Sequence, residues 1–134
     1  MSSSVDVEAL CAALDALAED DRARVHLLIE LLTIDGHERH EDIVFDLGLF
    51  GDPAATPAIA EAAEKTFEYM VRWQNLHEFQ RKCAYALARI GTPESRAVLE
   101  HLAQHADPHL RECGREGLSN WPMPLSRSQA SRFG

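Results

Sequence analysis

The sequence predicts an all-α fold, a short α-solenoid of stacked antiparallel helix pairs. Two observations lead to this prediction. Apolar residues recur at helical spacing along most of the chain, and one pattern of helix, glycine, proline and second helix occurs in both 43–53 and 83–93. Such a unit cannot bury its own apolar face, so neighbouring units must stack on it. We therefore expect about six or seven helices around one continuous core.

Length and composition favour one domain, 1–121, followed by a C-terminal tail, 122–134. The chain has 134 residues, of which 46% are hydrophobic, as is usual for a globular protein. No apolar run approaches the roughly 18 residues of a membrane span. The start of the chain, 1–6, lacks a basic segment followed by an apolar stretch, so we expect no secretory signal. Three cysteines are too few for a disulfide scaffold, which predicts reduced thiols in a cytoplasmic protein.

The first two helices are predicted at 5–18 and 22–34. The first carries its apolar residues on one stripe, and the second shows the spacing i, i+3, i+4 and i+7. Gly36 follows the second helix and suits the left-handed conformation that ends helices. These stripes consist of Val7, Leu10, Cys11, Leu14 and Leu17, and of Val25, Leu28, Ile29 and Leu32.

The first clear repeat opens with a helix at 37–50, which ends at Gly51. Asp52 is the predicted N-cap of the next helix and Pro53 its first residue, a position that needs no backbone N–H. The same motif of glycine, N-cap residue and proline occurs as Gly91-Thr92-Pro93 in the second repeat. These shared boundaries predict that each repeat folds back on itself at the same point.

A third copy begins at 107–108 and contains Gly114 and Gly117. Each glycine costs a helix about 1 kcal/mol relative to alanine. We expect both glycines to lie where another helix crosses closely.

The segment 79–93 resembles a HEAT repeat, and is most similar to the short repeats of phycobilisome lyase-like proteins. Within this resemblance the clearest repeats are 38–76, 77–106 and 107–121. It implies a solenoid that holds other molecules, but the repeat serves many unrelated functions.

The first repeat exceeds the second by nine residues, which we expect to lengthen the helix after Pro53 as far as Leu76. Two apolar stripes would then lie on opposite sides of this helix, and either could pack in the core or face a partner. Tyr and Trp are common anchors of protein interfaces, so both interpretations stay open. The stripes are Phe67, Met70 and Val71, and Tyr69, Trp73 and Leu76.

Charge is distributed unevenly along the chain, whose formal net charge is −9. Segment 1–75 carries 16 acidic and 5 basic side chains, whereas 76–134 carries 6 and 8. This balance counts against nucleic-acid binding and favours a basic protein partner for the N-terminal half. Acidic side chains that merely keep the protein soluble are the alternative explanation. The predicted protein-binding residues are Asp42, Asp46, Glu61, Glu64, Glu68, Tyr69 and Trp73.

Seven histidines raise the question of a metal site. His101, His105 and His109 are spaced by four, but the segment 107–108 interrupts a common helix face. The His-Glu steps at 40–41 and 77–78 are similar to those that hold iron in deoxyhypusine hydroxylase, a HEAT-repeat enzyme, yet they lie in a different register. No nucleophile motif or phosphate loop is visible, so we expect no enzyme, metal or cofactor.

These observations predict a non-enzymatic protein-binding module without nucleic-acid or membrane partners. The inner helices, about 54–75 and 93–105, or the acidic half would supply the binding surface. Small acidic HEAT-like proteins resemble immunity proteins, which implies an inhibitor that neutralises a basic partner such as a bacterial toxin. The alternative is an accessory subunit of a chromophore lyase or a similar enzyme complex.

Overall fold

A computed structural model describes residues 6–123 as helices joined by short turns, with no strand in that range. The predicted all-α class is confirmed, with more helices than expected. Their bounds are α1 Val7–Asp15, α2 Arg24–Leu32, α3 His40–Phe50, α4 Thr56–Glu64, α5 Glu68–Trp73, α6 Leu76–Ile90, α7 Pro93–Ala103 and α8 Pro108–Asn120, with a single 3-10 turn at Pro53–Ala55.

The helices pack in two rows, as expected for a HEAT-like stack. Helices α3, α6 and α8 form one row, α2, α4 and α7 form the other, and α1 lies against α2 at one end. Between the rows runs a single apolar core, to which all helices contribute at least one side chain. Its largest fully buried members are Phe67, Phe79, Leu28, Leu31, Leu32, Ile43, Leu47, Ile59, Met70, Leu87, Leu99 and Leu102.

The predicted turns within the two repeats are confirmed. Gly51 and Gly91 adopt left-handed conformations, with φ of 66° and 68°, which other residues rarely adopt. The Asp52 carboxylate accepts a hydrogen bond from the Ala54 N–H, 2.9 Å away. Thr92 caps α7 in a reciprocal capping box with Ser95. Similar local chemistry therefore reverses the chain at both points.

The close helix crossing predicted from the two glycines of α8 is also confirmed. A Cβ atom on Gly114 would lie 2.7 Å from the carbonyl carbon of Leu102 in α7. On Gly117 it would lie 2.5 Å from Leu99 Cδ2 and 3.2 Å from the Ala84 oxygen. The missing side chains allow α8 to approach both α6 and α7.

The first helices are shorter than predicted. Helix α1 ends at Asp15 and α2 begins at Arg24, because the chain between them forms tight i→i+3 turns such as that of Leu17 N–H to the Leu14 carbonyl. The predicted start of the first helix at Val5 lies outside the described residues.

The chain after α8 folds back over the turn between α6 and α7. Trp121 Nε1 donates a hydrogen bond to Ser95 Oγ at 3.3 Å, and the Arg96 guanidinium lies 5.0 Å from the Trp121 ring centre. The Met123 N–H donates to the Ala88 carbonyl at 2.9 Å, which satisfies an acceptor in the last turn of α6. The rest of the predicted tail, 124–134, lies outside the described residues.

Candidate protein-binding site

The prediction of one long helix from Pro53 to Leu76 is wrong. Helix α4 ends at Glu64, and residues 65–67 lead into the separate six-residue helix α5. Lys65 is extended, with ψ of 134°; its ammonium donates to the Thr33 carbonyl at 3.0 Å and lies 5.0 Å from the Phe67 ring centre. These contacts to the preceding helix pair and to the core favour a bend over another helical turn.

Helix α5 is fixed to the body of the protein by its inner side. Phe67 and Met70 are buried in the core, and the Tyr69 hydroxyl lies 2.7 Å from His40 Nδ1. His40 Nε2 lies 2.7 Å from the Ile34 carbonyl. Because a carbonyl oxygen can only accept, Nε2 of His40 is the donor, and in the neutral imidazole Nδ1 accepts the hydrogen bond of the Tyr69 hydroxyl.

Burial shifts the pKa values of both partners in this hydrogen bond. It lowers the pKa of His40 from 6.5 to about 4, because desolvation penalises the imidazolium. Desolvation likewise raises the pKa of Tyr69 to about 12. Both groups are therefore neutral at pH 7, and Tyr69 acts as a support of α5 rather than as a free interface residue.

The outer side of α5 presents large apolar side chains to solvent. Trp73 is 70% exposed and Val71 is 52% exposed. The helix ends immediately afterwards, at Gln74 in a left-handed conformation with φ of 62°. The predicted stripe of Phe67, Met70 and Val71 is thus divided between core and surface, and that of Tyr69, Trp73 and Leu76 is divided in the same way.

The predicted acidic residues lie in separate places. Glu68 and Tyr69 line a polar concavity beside Lys65 and Arg72. Asp42 and Asp46 belong to α3, in the row opposite α4, and line a different cleft against α1 and α2. The structure therefore does not gather the predicted carboxylates into one surface.

Two of the acidic residues have partners within the protein. Asp46 lies 3.4 Å from the Arg24 guanidinium, and burial raises its pKa despite that charge. Glu64 binds two histidines, with distances of 2.9 Å to Nε2 of His101 in α7 and 3.0 Å to Nε2 of His105, which follows α7. Glu61 and Asp42 are exposed.

Most of the histidines take part in ring stacking or hydrogen bonding within the protein. Among residues 6–123, no group of three His, Cys, Asp or Glu side chains has the geometry to hold a metal ion. His105 Nδ1 accepts from the Asp107 N–H at 3.0 Å, which leaves Nε2 as the donor to Glu64. His109 stacks on His77 with ring centres 3.8 Å apart.

The cysteines of the core are shielded from solvent. Cys83 and Cys113 are buried and free, and Cys11 is a free, half-buried thiol. Burial raises the pKa of the Cys83 thiol well above its usual value and that of Cys113 to about 11. The two buried thiols are therefore protonated at neutral pH and poor nucleophiles.

Phe45 is a surface residue that the sequence-based prediction missed. It is 49% exposed on α3 and borders a groove of about 230 Å³ between α3 and α6, rimmed by Arg81, Lys82 and Arg89. The sequence did contain a signal, since Phe45 falls outside the apolar stripe of Ile43 and Leu47.

No helix among the described residues is long and apolar enough to cross a membrane.

Residues 79–105 match the family model of the PBS lyase HEAT-like repeat. This match covers α6 from Phe79 and all of α7, and it confirms the resemblance inferred from the sequence. No curated protein and no solved structure has significant similarity to the chain.

Proposed function

We propose that this protein is a non-enzymatic protein-binding module whose main anchor is Trp73. The observation that carries the proposal is the exposure of Trp73, 70%, on a helix that is itself firmly fixed. Buried Phe67 and Met70 and the hydrogen bond from Tyr69 to His40 hold α5 in place. An exposed tryptophan on a rigid support binds at a low entropic cost, because little needs to be ordered on association.

The partner that we propose is a basic protein. The net charge of −9 and the concentration of acidic residues before residue 75 support this choice, as complementary charge accelerates and selects association. Glu68 is exposed at the start of α5. Arg72 on the same helix offsets this charge, so the attraction for a basic partner comes from the acidic residues of the N-terminal half as a whole. A secreted toxin with a basic active site is a partner of this kind, and an immunity protein that neutralises it is the specific form of the proposal.

Binding assays with matched variants test the proposal. The tagged full chain should capture a basic protein from an extract of its native cells, and Trp73→Ala should weaken that complex by about thirtyfold or more, as for interface hot spots. Phe45→Ala is the control, since it removes an exposed aromatic ring elsewhere. Equal affinity of the wild type and Trp73→Ala for the captured protein contradicts the proposed anchor.

Salt dependence tests the electrostatic part of the proposal. Raising the ionic strength from about 0.05 to 0.5 M should slow association, because it screens charges beyond a few ångströms. An association rate indifferent to salt argues against a basic partner. Co-expression with the captured protein tests immunity directly: its toxicity should disappear with the wild type and return with Trp73→Ala.

A second candidate function is that of an accessory subunit of a chromophore lyase. The match of residues 79–105 to the PBS lyase HEAT-like repeat favours it. In this case the captured protein is a lyase subunit or its acceptor protein, and adding this chain should increase chromophore attachment. Neutralisation of a toxin without any effect on chromophore attachment would exclude this candidate.

A further inference from the structure

Gln74, the residue directly after Trp73, has a backbone conformation that disfavours its own side chain. Four residues in the described range 6–123 have a positive φ, and the other three are Gly36, Gly51 and Gly91. Gln74 has φ of 62° and ψ of 33°, a conformation that brings a Cβ atom too close to the following carbonyl oxygen and therefore favours glycine. At this helix end the chain has a glutamine where glycine would be more stable.

The turn at Gln74 is closed by two main-chain hydrogen bonds. The Asn75 N–H donates to the Met70 carbonyl at 3.0 Å, and the Gln74 N–H donates to the Val71 carbonyl at 3.2 Å. Glycine is the residue that most often occupies such a turn at the end of a helix. The Gln74 side chain is exposed, and its carboxamide makes no hydrogen bond within the part of the chain that the structure describes. The turn therefore gains nothing from the glutamine side chain.

The backbone of Gln74 is fixed to the body of the protein on both sides. Before it, the buried side chain of Met70 anchors α5 in the core. After it, the Asn75 amide donates to the Glu41 carboxylate of α3 at 3.2 Å, and α6 begins directly afterwards. Gln74 therefore presents its carboxamide from a rigid backbone beside the exposed Trp73, so that little ordering is needed when a partner binds.

A strained residue beside an exposed anchor indicates a role in binding, because local backbone strain is concentrated at functional sites. The carboxamide is uncharged and carries both an acceptor and donors, so it matches a peptide group whose N–H and C=O are free, as in an extended segment. We propose that Gln74 binds the main chain of an extended segment of the partner, while Trp73 covers an apolar side chain of that segment. This inference rests on the proposed function of Trp73 and adds a contact that determines specificity.

Thermal denaturation of the full chain tests the strain at Gln74. Gln74→Gly should raise the melting temperature by about 3 °C, because glycine adopts this conformation without strain. Gln74→Ala should leave it nearly unchanged, since alanine keeps a Cβ atom at the same place. The matched control is Gln104→Gly, because Gln104 is exposed at the end of α7 with φ of −106°, where glycine relieves no strain. A Gln74→Gly variant that is no more stable than the wild type overturns the proposal.

Binding to the basic protein that the tagged full chain captures tests the role of the carboxamide. Calorimetric titration should show about tenfold weaker affinity for both Gln74→Gly and Gln74→Ala, as expected for the loss of a pair of neutral hydrogen bonds. Gln104→Gly should bind like the wild type. In Gln74→Gly, stability and affinity should change in opposite directions, which a purely structural role of this side chain does not predict.

The variant Gln74→Glu tests which groups the carboxamide binds. A carboxylate accepts from an N–H but cannot donate to a carbonyl, so the affinity should fall even though the partner is basic. Titration at about 0.5 M salt screens the added charge. An affinity that rises in this variant overturns the pairing with the main chain and assigns Gln74 to general electrostatic attraction.

The outcomes distinguish this inference from the proposed function, once circular dichroism confirms that each variant is folded. If Trp73→Ala weakens the complex and Gln74→Ala does not, the inference is overturned and the Trp73 anchor stands. If neither variant weakens the complex, or if the full chain captures no protein, both are overturned.

Discussion

The second repeat, α6 with α7, and the first repeat, α3 with α4, begin with similar turns and then differ. In both, a left-handed glycine ends one helix and an N-cap with proline begins the next helical segment. After α7 the chain needs only residues 104–107 to reach α8, whereas after α4 it adds α5 before α6. The regular unit builds the stack, and the irregular one presents Trp73 to solvent. In this molecule the departure from the repeat, rather than the repeat itself, marks the candidate binding site.

The largest expected effect concerns the regular part of the stack. Gly114→Ala should lower the free energy of unfolding by about 3 kcal/mol, because the new methyl group would lie within 2.8 Å of the α7 backbone at Leu102 and Ala103. Urea denaturation followed by circular dichroism measures this loss. Gly48→Ala is the control: its methyl group would lie 3.2 Å from Ala86, so the cost should be much smaller. Equal stabilities of the two variants would contradict a backbone-tight crossing of α8.

The next effect tests how α5 is anchored as pH falls. The pKa of His40 is lowered from 6.5 to about 4 in the folded protein, so the unfolded chain binds the proton more readily. The contribution of neutral His40 to the free energy of unfolding is therefore fully present above pH 6.5 and is lost as the pH falls towards 4. Between pH 7 and pH 5 the loss should be about 2 kcal/mol. Denaturation of the wild type and of His40→Gln at both pH values isolates this contribution. Parallel profiles of the two proteins would show that His40 is not the group responsible.

A smaller effect separates two tyrosines that make similar hydrogen bonds in different surroundings. Tyr69→Phe should cost about 1–2 kcal/mol, because it leaves Nδ1 of the buried His40 without a donor. Tyr85→Phe removes a hydroxyl that donates to Glu116 at 2.8 Å near the surface, where water replaces it and the cost should stay below about 0.5 kcal/mol. Thermal or urea denaturation gives both values. A larger loss of stability in Tyr85→Phe than in Tyr69→Phe would contradict the view that the buried hydrogen bond supporting α5 is the stronger of the two.

The smallest expected effect is on the stability of the Trp73→Ala variant. With 70% of its surface exposed, Trp73 contributes little to the core, and the free energy of unfolding should change by less than about 0.5 kcal/mol. Circular dichroism and urea denaturation check this value. A loss above about 2 kcal/mol would assign Trp73 to the fold and remove the basis for its proposed role in binding.

Much of the fold was predictable because its determinants are local. Gly51, Thr92 and the glycines of α8 act through backbone conformation and capping, which depend on a few neighbouring residues. The bend after Glu64 was not predictable in this way. No glycine or proline marks it, and the contacts that favour it, of Lys65 with the Thr33 carbonyl and the Phe67 ring, include one to a residue distant in sequence.

The candidate site was predictable only in part, for a related reason. The spacing of Tyr69 and Trp73 indicates a second apolar stripe, but the exposure of each depends on helices distant in sequence. His40 accepts the Tyr69 hydroxyl proton, whereas Trp73 lies one turn further, where the helix ends. In the same way, periodicity cannot assign Asp42 and Glu64 to opposite rows of the stack. The position of Phe45 outside the apolar stripe of Ile43 and Leu47 is the feature of the sequence that indicates its exposure.

The contrast between the molecule's two tryptophans has a practical consequence. Trp121 is half-buried and donates a hydrogen bond to Ser95 of α7, whereas Trp73 on α5 is largely exposed to solvent. Because indole emission shifts to shorter wavelengths as water is excluded, Trp121 reports on the integrity of the α7–α8 junction and Trp73 reports on any molecule that covers it. Replacing either one with phenylalanine leaves a single tryptophan, whose emission lies at longer wavelengths than that of the two tyrosines. Unfolding and partner capture can then be recorded separately, without an added label.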